Sequence, residues 1–142
     1  MQLNPYLHFN GNCEEALKFY EQTLGARIDG LQRFAGSPAA EHAPPEWGDK
    51  VLHARLRIGN DILMASDAPP EHFAPPKGFS LSISLSDIAK GEQIFNAMAQ
   101  GGTVQMPFAP TFWAAGFGMC VDRFGIPWMV NCEQAHHHGG AE

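Results

Sequence analysis

The chain has 142 residues, 44% hydrophobic and 17% charged, one domain's worth of sequence with enough apolar side chains for a core. A net charge of −6 excludes nucleic acid and anionic membrane as expected partners, because both demand clustered Lys and Arg. Cys13, Cys120 and Cys132 form no CxxC pair and read as small buried hydrophobes in a reducing compartment, not as a disulfide framework.

Residues 1–9 lack the basic-then-apolar pattern of a signal peptide. No apolar run approaches the ~20 residues that cross a bilayer, so the expectation is a cytoplasmic protein. Residues 3–9 read as a short aromatic-rich strand. Asn12 is a candidate N-cap with Glu15 three positions on, a capping box. Cys13, Ala16, Leu17, Tyr20 and Leu24 then recur at helical spacing, and Gly25 stops the helix as a C′ glycine. Residues 27–34 are expected to form a second strand. Residues 35–49 hold two glycines and three prolines and form a long loop. Residues 51–58 and 61–66 flank Gly59-Asn60, a hairpin signal. The proline-rich stretch 68–77 reads as a linker.

The order then restarts. Residues 79–85 alternate between apolar side chains and serines, a strand. Ser86 is a candidate cap for a helix with Ile88, Ile94, Phe95 and Met98 on its apolar face, ended by Gly101-Gly102. Residues 103–106 form a short strand and 107–115 a loop carrying Phe108, Phe112 and Trp113. Residues 117–122 and 126–132 make the last hairpin. Strand, helix and three strands thus occur twice, a repeat of roughly 70 residues. The expected class is α+β: two βαβββ modules (1–67 and 78–133) in one domain, with mixed sheets whose open faces form a concave cup. Residues 134–142, with His136, His137 and His138, read as a flexible tail able to bind metal adventitiously.

Alternation separates the faces. Leu52, Ala54, Leu56 and Ile58 point one way, His53, Arg55 and Arg57 the other; Ser80, Ser82 and Ser84 oppose Phe79, Leu81, Ile83 and Leu85. The apolar sets are expected to meet the helices, while the polar sets either line a cup or face water.

Three stretches carry a resemblance. Asn4-Pro5-Tyr6-Leu7 with the run from Phe9 to Leu17 and Phe19-Tyr20, the segment from Thr111 to Gly118, and the segment from Asp122 to Asn131 together resemble PhnB-like proteins of the vicinal oxygen chelate superfamily. That superfamily includes glyoxalase I, extradiol dioxygenases and fosfomycin- and bleomycin-resistance proteins. The branch has been labelled similar to a ubiquinone-pathway methyltransferase, but the sequence has no glycine-rich loop of the kind a nucleotide-like cofactor often needs.

The resemblance implies a homodimer and a divalent metal held by His and Glu at four sheet positions, acting as a Lewis acid. Counting from shared landmarks puts these positions on Pro5, His53, Ser80 and Met129. Only His53 suits a borderline divalent ion, so no bound metal is expected, though one is possible. His8, three residues from Pro5, is expected to face away from the metal side as a structural histidine. His53 is the candidate acid or base. Arg55 suits an anionic ligand, carboxylate or phosphate, or an ordinary surface ion pair. Ser80, Ser82, Trp113, Phe117 and Met129 complete the candidate pocket, with core packing or a dimer contact the other use of the aromatics. Two functions follow: a small-molecule-binding protein with a degenerate metal site, or an enzyme of lyase, isomerase or dioxygenase type using metal or His53.

Overall fold

The structure is a computed structural model that describes residues 1–134; the histidines at 136–138 lie outside the described residues. Two compact units meet in sequence at Ala74 and Pro75, inside the expected linker. The first holds β1 (Tyr6–Phe9), α1 (Cys13–Leu24), β2 (Arg27–Arg33), β3 (Val51–Ile58) and β4 (Asp61–Asp67). The second holds β5 (Leu81–Leu85), α2 (Ile88–Ala99), β6 (Thr103–Ala109), β7 (Ala114–Val121) and β8 (Pro127–Glu133). Each has a four-stranded mixed sheet, β1-β4-β3-β2 in the first and β5-β8-β7-β6 in the second. The repeat and the α+β class expected from the pattern are both present.

In the first unit the apolar side of α1 (Cys13, Ala16, Leu17 and Tyr20) is buried with Leu7, Phe9, Ala54, Leu56, Leu63 and Ala65. These are the alternate residues of their strands, as period-two alternation requires. Gly25 ends α1 at φ 67°, in the left-handed region. Residues 35–49 contain two short 3-10 turns and are pinned: Phe34 meets Trp47 edge-on at 5.6 Å, and Lys50 Nζ donates to Gly11 O at 2.8 Å.

The start of α1 departs from expectation. Asn12 makes no side-chain cap bond, and its Oδ1 is buried without a partner among the described residues. Asp67, at the end of β4 and 4% exposed, takes over. Its Oδ1 accepts Cys13 N and its Oδ2 accepts Val51 N, both at 2.9 Å. The capping box fails because a distant buried carboxylate satisfies the first turn instead.

In the second unit the cap of α2 is Asp87, which accepts Lys90 N at 3.1 Å, not Ser86. Ile88 is 47% exposed; Gly91, Ile94, Phe95 and Met98 form the buried side. The strand expected at 103–106 continues to Ala109, so only residues 110–113 connect β6 to β7. Phe108 is therefore a strand residue, its ring 5.9 Å from that of Phe95. Gly118 permits this packing, since a Cβ there would lie 2.7 Å from Phe95 Cε1. Asp122 closes the last hairpin by accepting from Phe124 N, Ile126 N and Trp128 Nε1.

Candidate functional site

Each sheet buries one face under its helix and leaves the other open. In the first unit the open face of β3 carries His53, Arg55 and Arg57, as alternation predicted, with Ala54 and Leu56 fully buried behind. Arg57 Nη2 pairs with Asp29 Oδ2 at 3.0 Å, whereas Arg55 has no ion pair among the described residues. On β1, Leu7 and Phe9 are buried while Tyr6 and His8 are exposed. Tyr6 Oη lies 3.2 Å from His53 Nδ1, and its ring is 5.0 Å from that of His8 and 5.8 Å from that of His53.

These contacts correct one expectation. His8 belongs to the open face with His53, and the β1 side chain that meets His53 is Tyr6. Counting placed the parity of β1 one residue off, and in a strand a one-residue shift exchanges the faces.

In the second unit the open face is set by register. Ser82 lies beside Met129 and Ser84 beside Asn131; Met119 opposes Met129, and Phe117 opposes Asn131. A cavity of about 650 Å3 opens on this face. Its walls include Ser80 and Met129, both anticipated, and Met119, Val121 and Pro127 from β7 and β8. One side is built by Lys77, Phe79 and their neighbours from the end of the linker, and Gln105 of β6 joins them. Ser82 and Phe117 share the face but not the cavity wall. Trp113 extends the aromatic row, 4.9 Å from Phe112 and 5.2 Å from Phe117 between ring centres. Asn131 Oδ1 is buried with no partner among the described residues, an unmet acceptor on the same face. His53 and Arg55 belong to the other unit.

Sequence reasoning missed Tyr6, Lys77, Gln105, Met119 and Asn131. Met119 and Asn131 alternate with buried residues in their own strands, and that signal was available. Lys77 carries no periodicity, because it lies outside any strand.

The metal chemistry implied by the resemblance can be tested on the donors. Among the described residues no three His, Cys, Asp or Glu side chains converge. His53 commits Nδ1 to Tyr6. Ser80 is a neutral oxygen and Met129 a soft thioether, neither suited to a borderline divalent ion. The residues at these positions do not fit the group. The thiols offer nothing in its place: all three cysteines are buried, and burial pushes Cys120 up to about 11, with the charge of Asp122 adding to the shift. Among the described residues no helix is long and apolar enough to cross a membrane.

A family model described as 3-demethylubiquinone-9 3-methyltransferase matches residues 1–131. The crystal structure of protein PA1353 from Pseudomonas aeruginosa is 51% identical, covers 94% of this chain and 98% of its own, and superposes with a TM-score of 0.85. The PhnB protein from Bacillus cereus is 23% identical, with coverage of 93% and 99% and a TM-score of 0.79. A glyoxalase/bleomycin-resistance/dioxygenase domain from Frankia sp. EAN1pec, 12% identical with coverage of 94% and 98%, shares the fold at a TM-score of 0.63. The chain therefore belongs to the 3-demethylubiquinone-9 3-methyltransferase family, the PhnB-like group its own motifs resemble, on a glyoxalase-type α+β fold.

Proposed function

We propose that this protein binds a small molecule in the cavity of its second unit, without a metal of its own. One observation carries the reading: the 650 Å3 space has mostly apolar walls with one ammonium, one hydroxyl and one amide, from Lys77, Ser80 and Gln105. That is the usual make-up of a ligand site, apolar area for affinity and a few polar groups for orientation. Met119 and Met129 supply adaptable, polarizable surface. Lys77 favours an anionic ligand, the charge also expected from Arg55.

The family description names a methyl transfer. A nucleoside-bearing methyl donor needs partners for its ribose hydroxyls, commonly a carboxylate, and the cavity wall holds none. The residues do not fit such a donor, and no methyl-transfer step is derived. A second reading, an enzyme using His53 as acid or base, draws on the Tyr6–His53 hydrogen bond.

Titration with an anilinonaphthalene sulfonate dye, an anion with a flat apolar body, tests the first reading. Saturable binding at one dye per chain is expected. Met129→Trp, which fills the cavity, should weaken it at least about tenfold, and Lys77→Ala several-fold. Undiminished binding by Met129→Trp would overturn the assignment. Elemental analysis of a chain ended after Glu133 supplies the second arm. One tightly held divalent ion per chain, lost in His53→Ala, would favour the enzyme.

A further inference from the structure

The open face of the first unit carries a group of side chains that the second unit's cavity does not use. Tyr6 on β1 and Arg55 on β3 both lie beside Met64 of β4, so they occupy one row across the sheet. His53 is two residues from Arg55 and points to the same side. The phenol of Tyr6 meets His53 Nδ1 at 3.2 Å. That contact engages only one ring nitrogen, Nδ1, and leaves Nε2 of His53 unused by Tyr6.

The charges around this group are one-sided. The chain carries −6 overall, yet the face has little acid. β1 contributes Tyr6 and His8; β4 contributes Met64 and Ser66; β2 contributes Arg27 and Gln32, with Asp29 already engaged by Arg57. Arg33 is likewise engaged, by Glu14 at 2.8 Å. Arg55 alone stands beside His53, exposed and without an acidic partner among the described residues.

We propose that the guanidinium of Arg55 and the Nε2–H of His53 form a binding site for an oxyanion, the carboxylate or phosphoryl group of a small molecule, with Tyr6 as the positioning residue. The spacing suits it. Residues two apart on a strand present their side chains side by side, so one oxygen can take the arginine fork while another takes the imidazole N–H. Charge-assisted bonds of this kind are roughly twice as strong as neutral ones, and the fork adds geometric selectivity. The site stands apart from the cavity reading and does not depend on it.

The test is an NMR titration of the full chain, following the His53 ring signals, with sodium phosphate, sodium acetate and sodium chloride at constant ionic strength. At least one oxyanion should shift His53 saturably while chloride does not, and the stronger of the two names the group. Arg55→Ala should weaken that binding at least about tenfold. Tyr6→Phe should weaken it a few-fold and alter the ring-nitrogen pattern that reports the tautomer, which a merely structural tyrosine would leave unchanged. The proposal is overturned if neither oxyanion moves His53 beyond the chloride control, or if Arg55→Ala, with a parent-like circular dichroism spectrum, binds as the parent does.

Discussion

Asp67 shows how much one side chain decides. Its two oxygens accept the backbone N–H groups of Cys13 and Val51, tying the start of α1 to the start of β3. Both donors would be left buried and unpaired without it, at about 1–3 kcal/mol each. Asp67→Ala is expected to lower unfolding free energy by about 2–5 kcal/mol, read from urea denaturation with an unchanged m-value. A loss below about 1 kcal/mol would mean that water replaces the carboxylate. Glu14 gives a pH signature. Hydrogen bonding to Arg33, together with its charge and that of Lys18, holds Glu14 down to about 2 from an ordinary 4.5, against a smaller opposing effect of burial. A carboxylate depressed in the folded state contributes stability above its unfolded value and loses it as pH falls through the folded one. Its contribution is therefore present above about 4.5 and fades toward about 2. Glu14→Gln should flatten the acid-denaturation curve of the parent in this window. The effect should shrink in high salt, because the pair is partly solvent-exposed. Parallel curves for parent and variant would exclude it.

Among the elements, α2 and β8 approach closely through Gly91. A Cβ there would fall on the sulfur of Cys132, with Leu85 and Val130 only in ordinary contact beyond. Gly91→Ala should destabilise by about 1–3 kcal/mol through overpacking, despite the better helix propensity of alanine. Cys132→Ala removes the obstructing atom, so the double variant should recover part of that loss. Additive free energies in the two single variants and the double would refute the contact. β6 makes a related point about elements. Nearly every residue of it is exposed, and with Pro107 inside it the run looked like the end of a strand followed by a loop. Pairing with β7 from Thr103↔Val121 to Ala109↔Phe117, with two register shifts, extends it. As the outer strand of its sheet, β6 tolerates a proline that an inner strand would not.

At the scale of the whole molecule, the expected homodimer is a proposal with its own observation. Phe112 is 91% exposed and Trp113 42%, adjacent on the loop between β6 and β7. Apolar groups gathered on a surface mark association sites, and a two-fold dimer is the commonest outcome. Equilibrium sedimentation at micromolar concentration should return twice the chain mass. Phe112→Asp with Trp113→Asp should shift the distribution toward monomer without lowering stability. A parent that stays monomeric across a wide concentration range would count against the dimer.

The sequence by itself determined the repeated strand–helix–three-strand order, the two hairpins and the faces of β3. These follow from period-two and period-3.6 alternation and from turn glycines, signals contained within a few neighbouring residues. The tertiary structure alone decided which residues meet. Asp67 caps a helix 54 positions before it, and no local pattern encodes that distance. β1 is only four residues long, too short for alternation to set its parity, so pairing with β4 placed Tyr6 and His8 beside His53. Lys77 reaches the cavity because the linker's end packs there, which neither its residue type nor its spacing foretells. The face of a strand is a local property of the chain; the contents of a site are a sum over distant segments, fixed only when sheet register and packing bring them together.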